Sequence, residues 1–500
     1  MFGLAQSGVR AVSLAEACGW TCLRSLLIAT CAVPVCFAIR RQLRAARGGR
    51  RLVLWIAVLA PFFAPDMLVG YGYYNFSLSL IHHPVWNELF YAVLVFFKVL
   101  PAGTVIALFT PRPPISPQAL YCRRLSLPPH SPLSTRVRTL AGYYLRGPSR
   151  AALPALVLMF LLAFQEFELV SLVNATSWTV WLFDQQAQGL PLPDALRYDL
   201  LPTGIQAALI AAMIPLVLMS RKTAGQRDSG GGTSTAIAGV AWGVAIIGCV
   251  LLWLIPMAIL CRGLGSGLVV LWRNPRLFDE IGIGLGMMLA AALPTYALAA
   301  ALLSATTKQR GQRWRLPLAV LVGLPGLFGG LTLGLAMLAL FQTPALGGWY
   351  DTPLPWWSAL VLWLMPRAML LQILLAAAHR GEPVYLAALL IRDGSPQQRG
   401  RARQLIWRLR YQGHYWAIVL LCWWAYLDPT LSSLLRPSGL DPAPMRIYNF
   451  MHYGQAGGLS AMLAVTVLAP LLLVGCLSWL RRFLFPLLER GFRRIGYTGR

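Results

Sequence analysis

Residues 221–235 read RKTAGQRDSGGGTST, and residues 236–260 follow at once with AIAGVAWGVAIIGCVLLWLIPMAIL. The second stretch carries no charged side chain over 25 residues. As a helix rising ~1.5 Å per residue it is long enough to cross a hydrocarbon core of ~30 Å. The first stretch is basic and rich in Gly and Ser, the composition of a flexible linker. Working outward, comparable apolar runs lie near 20–39, 52–75, 87–110, 151–173, 203–220, 281–304, 317–341, 356–377, 415–435 and 459–480. The expectation is an all-α integral membrane protein with about 11 transmembrane helices.

Composition supports that reading. The chain is 57% hydrophobic and only 12% charged, with a mean hydropathy of +0.61. A globular protein is about a quarter charged, so too few charges are present to cover a water-facing surface. A soluble multidomain enzyme, a disordered chain and a disulfide scaffold are excluded. Nine cysteines form no C-x-x-C pair and sit mostly in or beside apolar runs, where cysteine is a small buried hydrophobe. The N-terminal stretch lacks the basic, apolar and small-residue regions of a cleaved signal peptide, so no cleavage is expected.

The net charge of +26 is a matter of placement. If the spans alternate, the gaps 40–51, 111–150, 221–235, 305–316 and 378–414 share one side with the C-terminal tail. These hold 33 of the 43 Lys and Arg residues but only 4 of the 17 acids, Asp228, Glu382, Asp393 and Glu489. Basic loops mark the cytoplasmic side, so the N-terminus is expected to point outward and no nucleic-acid partner is expected.

The chain also repeats. A shift of 264 residues aligns Leu52 with Leu316, Pro61 with Pro325, Gly70 with Gly334, Tyr121 with Tyr385, Ser131-Pro132 with Ser395-Pro396 and Arg146 with Arg410. One residue further, Pro101 meets Pro366. Duplicated halves are common in membrane transporters. The organisation read from this is an outward tail at 1–19, a first half at 20–220 with about 5 spans, the linker 221–235, a second half at 236–482 with about 6, and a basic cytoplasmic tail at 483–500. The first half then lacks the opening helix of the second, which gives an odd number of spans.

Residues 384–410, VYLAALLIRDGSPQQRGRARQLIWRLR, are followed by an apolar span ending AYLDPTLSSLLRPSGL (425–440) and by MRIYNFMHYGQAGGLSAMLAVTVLAPLLLV (445–474). With LVGLPGLFGGLTLGL (321–335) and YDTPLPWWSALVLWLMPRAML (350–370), this region resembles the second half of fused, two-module permease subunits of binding-protein-dependent ABC importers, in the group that includes ferric-iron permeases. FQEFELVSLVNATSWTVWLFDQQ (164–186) is similar in the first half. The family's cytoplasmic loop carries E-A-A-x-x-x-G, then I-x-L-P about ten residues later, and docks on the ATPase. Here Gly394 matches the glycine, followed by Ser395 and Pro396, whereas Ala388 stands at the glutamate, Leu389 and Leu390 at the alanines and Trp407 at the proline. The first-half loop has His130 at the glycine position. The loops are therefore degenerate, and Gly394, Ser395, Pro396, Arg399, Arg401 and Arg403 are the expected ATPase-coupling residues. Those arginines also suit a plain positive-inside role.

None of the three lysines, Lys98, Lys222 and Lys308, follows a glycine, so the chain cannot hydrolyse ATP through a Gly-rich phosphate loop, and it is expected to bind no cofactor of its own. ATP is expected in a partner subunit, and the chain is not expected to be an enzyme. Charged groups inside spans are functional candidates by default: Asp66, Lys98, Glu166, Glu168, Arg367 and Asp428. Glu166, Glu168 and Asp428 fall on equivalent spans of the two halves and are candidates for a cation pathway. Glu166 and Glu168 are two apart, so a helix would point them about 200° from each other, and one at most would face a pore. Packing and ion pairing with Lys98 or Arg367 is the other reading. His82-His83 and His452 lie in outward loops without carboxylate spacing, and no metal site is expected. Asn174-Ala175-Thr176 matches a glycosylation sequon, and the 18 Trp sit near span ends like an interfacial belt.

The resemblance implies the pore subunit of an ABC importer in a bacterial inner membrane. ATPase subunits, a periplasmic or lipoprotein binding protein and membrane lipid would be its partners, and ferric iron or another small ion its cargo. The alternatives are a permease-derived scaffold or regulator that has lost coupling, and a membrane-embedded enzyme acting on lipid-linked substrates, to which Glu166, Glu168 and Asp184 would contribute.

Overall fold

The computed structural model describes residues 13–80, 82–110, 152–220, 235–273, 276–307, 315–378, 381–452 and 458–494, with Cys122, Pro132, Ser134 and Thr135. The linker 221–234 and nearly all of the loop 111–151, including His130, lie outside the described residues. Among those described, the secondary structure is helical without a strand. Six helices are long and apolar enough to cross a membrane, or nine spans if three bent pairs are counted as one each. The chain is thus an α-helical, multi-pass membrane protein. It divides into two compact units, 1–260 and 261–500.

In the first unit the helices are α1 (Leu14–Ala45), α2 (Gly48–Leu59), α3 (Asp66–Ser79), α4 (Pro84–Phe109), α5 (Leu153–Phe164), α6 (Glu168–Leu172), α7 (Trp178–Ala187), α8 (Leu192–Ser220) and α9 (Thr235–Cys249). Helix α1 starts inside the stretch expected to be an outward tail. Ser13 and Glu16 form a reciprocal capping box there, each side chain bonding the other's backbone N–H. Pro84 opens α4, where its missing N–H has no helical partner to lose. Helix α1 packs on α4, α5 and α9. The span expected to open the second half therefore begins in the first unit, against α1.

A π-helical segment, Val250–Leu254, joins α9 to α10 (Ile255–Trp272), which leads into the second unit. There follow α11 (Arg276–Thr307), α12 (Arg315–Gly323), α13 (Gly330–Phe341), α14 (Leu354–Ala378), α15 (Gly381–Asp393), α16 (Pro396–Ile406), α17 (Gln412–Tyr426), α18 (Pro429–Leu435), α19 (Ala443–His452) and α20 (Leu459–Arg494). Helix α11 packs on α14 and α17. Helix α20 runs well into the stretch expected to be a basic tail.

Three apolar runs that read as single spans are bent: α2 to α3 by 71°, α12 to α13 by 114° and α17 to α18 by 54°. The run at 151–173 is also divided, into α5 and α6. In both units the first bend follows a 3₁₀ turn containing one of the two aligned prolines, Pro61 in Ala60–Phe63 and Pro325 in Pro325–Leu327. The second-unit bend also needs Gly329, whose φ of 87° disfavours any side chain. Bent and divided helices are tolerated at membrane depth only where the protein satisfies the freed backbone groups.

Small residues let the bent helices pack closely. A Cβ on Gly72 would lie 2.8 Å from Pro256 Cα, inside backbone that cannot turn aside. Gly72→Val should therefore destabilise the protein by about 1–3 kcal/mol, measured as a lowered midpoint of thermal unfolding in detergent.

Between the ends of α13 and α14, Asp351 accepts hydrogen bonds from the Ser438 N–H (2.9 Å) and hydroxyl (2.9 Å). These donors hold its carboxyl below the ordinary value, and because the folded value is the depressed one, the clamp stabilises above the ordinary value. Lowering the pH through the depressed value should release it, and Ser438 amide exchange should accelerate in that window and not above it.

Candidate functional site

The breaks in the helices create the site. In the first unit α3 packs against α6, so that two helix starts lie close together. Asp66 is the first residue of α3, Glu168 the first of α6, and Glu166 lies in the non-helical link before it. Lys98 reaches them from the middle of α4, pairing with Asp66 and, at 3.3 Å, with Glu166 Oε2. The second oxygen of Glu166 accepts the Leu169 N–H at 3.1 Å, one of the donors that the helix start leaves open.

The broken backbone is satisfied by side chains. The Phe164 carbonyl at the end of α5 accepts the indole N–H of fully buried Trp178 at 2.8 Å, and the Glu166 carbonyl accepts the Thr179 hydroxyl at 2.9 Å. At the other end of α6, Asn87 donates to the Val173 and Asn174 carbonyls at 3.0 and 3.1 Å. Ser177 accepts the Thr179 N–H and so caps α7. Gln165 donates to Gln206 on α8 at 2.7 Å.

A helical period does not relate Glu166 to Glu168. Residues 165–167 are not helical, so that periodicity does not apply. Glu166 joins the cluster through Lys98, and Glu168 opens α6, which packs on the helix that Asp66 opens.

A second ionic group lies on the same helix, where Glu88 pairs with Arg24 of α1 and accepts the Thr176 N–H at 2.8 Å. The Arg24 guanidinium lies 4.4 Å from the centre of the Tyr91 ring. Sequence reasoning overlooked Arg24, Glu88 and Tyr91. The available signal was an Arg inside the first span and an acid one turn before a Tyr near the start of another.

The second unit uses the same backbone arrangement with fewer charges. Asp428 caps α18, accepting the Leu431 N–H at 2.9 Å, and is buried where α13 packs on α18. Shifting by 264 residues puts Gly330 at the place of Asp66, and a Cβ there would lie 3.8 Å from Asp428 Oδ1. Arg367, which interacts electrostatically with Asp428, donates to the Trp363 carbonyl at 2.7 Å and lies over the Trp363 ring at 3.7 Å. Asp428 is therefore an internal cap with an arginine nearby.

The predicted coupling residues form a helical hairpin, α15 packed on α16. Gly394 bonds back to the Leu390 carbonyl at 3.0 Å, and Ser395 with Gln398 forms a capping box at the start of α16. Pro396 occupies the first turn. Arg399 donates to the Gly394 carbonyl at 2.7 Å, so it closes the turn itself. Arg401 is exposed, and Arg403 partly so. Tyr385, Leu386, Leu389 and Leu390 of α15 are exposed as well. Among the described residues, no group of three or more His, Cys, Asp or Glu could hold a metal ion.

No family model matches the chain, and neither a curated protein nor a solved structure matches it.

Removing one partner of a part-buried ion pair inside a span leaves an uncompensated charge. Lys98→Met should therefore cost about 3–5 kcal/mol, read as loss of thermal stability in detergent, and adding Asp66→Asn and Glu166→Gln should recover most of it.

Proposed function

We propose that the chain is the membrane pore subunit of an ABC-type importer, with eleven spans in two permease-like halves and its N-terminus outward, in a bacterial inner membrane. A binding protein delivers the cargo from outside, and a separate ATPase drives alternation of the pore. Ferric iron is the leading cargo, with other small ions as alternatives. Glu166, Glu168 and Asp428 are assigned to the translocation path.

The observation that carries this reading is the α15–α16 hairpin. It lies in a basic gap assigned to the cytoplasm and is held rigid by the Gly394-Ser395-Pro396 turn. Leu386, Leu389 and Leu390 are exposed on its first helix, and Arg401 on its second. A rigid helix with exposed apolar residues is what a groove on a partner can grip. The repeat supports the two-half reading further, because the bent helices near Pro61 and Pro325 recur at the same spacing. A regulator that has lost coupling is the second reading, favoured by the exposed Ala388 at the position of the family's glutamate.

The test is affinity purification of the tagged chain from gently solubilised native membranes. An ABC ATPase dimer should be recovered with it. The double substitution Leu389→Glu and Arg401→Glu should weaken that association by at least about tenfold, the effect of removing central contacts of an interface. Recovery of the chain without an ATPase, or unchanged association of the double variant, would overturn coupling through this hairpin. Labelling that placed residue 5 on the cytoplasmic side would overturn the eleven-span topology.

A further inference from the structure

Six arginines fall in the twelve residues 40–51, RRQLRAARGGRR, and no Asp or Glu stands anywhere between Glu16 and Asp66. A purely topological role would treat the six alike, but the structure divides them. Arg40 and Arg44, near the end of α1, donate to the Thr110 and Leu108 carbonyls at 3.5 and 3.3 Å. These carbonyls lie at the end of α4, where a helix has no further N–H to offer them and its dipole favours a cation.

Arg47, Arg50 and Arg51 are placed otherwise. They stand at the turn into α2, all three are exposed, and among the described residues none of them has a hydrogen bond or an ion pair. No side chain caps α2. Gly48 makes this turn with φ 56°, and a Cβ on Gly48 or Gly49 would meet nothing within 4 Å. Three uncompensated cations therefore surround open space at the corner between α1 and α2.

An independent feature adjoins that corner. Helix α2 buries Leu54 and Val58 but leaves Leu52, Val53 and Ile56 more than half exposed. At 3.6 residues per turn the two sets lie on opposite sides of the helix. One apolar face is thus inside the unit, and a second runs uncovered from the arginines along a helix that belongs to a bent candidate span. A cationic end continued by an apolar flank matches a lipid with an anionic headgroup and an acyl chain. A water-soluble anion would use only the first feature, and a soluble protein would have to enter the hydrocarbon to use the second.

We propose that the α1–α2 corner binds an anionic phospholipid, with its phosphate held by Arg47, Arg50 and Arg51 and an acyl chain laid along Leu52, Val53 and Ile56. Guanidinium groups suit phosphate because they can donate two parallel hydrogen bonds to it, and basic clusters beside a span attract anionic lipid. Arg40 and Arg44 serve the protein by closing α4, which leaves the recognition to the three arginines of the turn. The inference rests on this corner alone and holds whether or not the chain couples to an ATPase.

Native mass spectrometry of the full chain in non-ionic detergent tests it, with phosphatidylglycerol and phosphatidylcholine of identical acyl chains as probes. Phosphatidylglycerol should bind at least about tenfold more tightly. The triple substitution Arg47→Gln, Arg50→Gln and Arg51→Gln should weaken its binding by about a hundredfold and leave phosphatidylcholine unchanged. A control triple, Arg392→Gln, Arg408→Gln and Arg410→Gln, removes the same charge from another basic gap and should change phosphatidylglycerol affinity by no more than about twofold. Equal affinity for the two lipids, or equal losses in the two triple variants, would overturn a site at this corner. Glycerol 1-phosphate, which carries the phosphate without acyl chains, should not displace the bound lipid, and displacement would overturn the lipid in favour of a soluble phosphate. Should the first triple variant fail to fold, Arg47→Gln with Arg50→Gln decides instead: a loss of at least about tenfold is expected, and a loss under about threefold overturns the proposal.

Discussion

A helix that breaks inside hydrocarbon frees backbone N–H and C=O groups where no water can reach them, and each one left open costs several kcal/mol. The interior of each unit is organised around meeting that cost. In the first unit Trp178 and Thr179 take the carbonyls released between α5 and α6, and Glu166 takes an N–H at the start of α6. In the second, Asp428 takes the N–H of Leu431 at the start of α18. The acids are thus fixed by backbone demand before any other role is assigned to them. Once buried, they need positive charge of their own, which Lys98 supplies in the first unit and Arg367 in the second.

The two units meet this shared constraint at different electrostatic levels. The bend after Pro61 and the bend after Pro325 recur at one spacing, so the backbone device is common to both. In the second unit Gly330 takes the place of Asp66 and faces Asp428 with no side chain, and one arginine balances one acid. In the first unit one lysine pairs with two acids, Asp66 and Glu166. Buried charge beyond what pairing neutralises is expensive and is retained at functional positions.

The helical class and most span positions were legible in the sequence, because an uncharged apolar run has few other stable forms. The breaks were not. Pro61, Pro325 and Gly329 sit in runs whose hydropathy is uninterrupted, and hydropathy is blind to backbone direction. Glu166 and Glu168 escape a helical period for the same reason, since residues 165–167 form no helix. Lys98 pairs with Asp66 and Glu166, residues 32 and 68 positions away along the chain. Arg24 and Glu88 went unremarked because they are 64 residues apart, and only folding brings α1 against α4.

The α15–α16 hairpin separates turn chemistry from recognition chemistry. Gly394, Ser395, Pro396 and Arg399 bond within the turn, so they fix its shape and leave little to offer a partner. Ala388, Leu389 and Leu390 are exposed, and in the importer reading they stand at the positions of a glutamate and two alanines. Such a hairpin can keep its shape while changing what it binds. In the importer reading, a missing charged anchor beside two exposed leucines moves recognition from a single ion pair toward buried apolar area, which is less directional and less sensitive to salt. In the importer reading, the degenerate motif then implies a partner groove that is more apolar at that point, and the coupling geometry survives because the turn holds it.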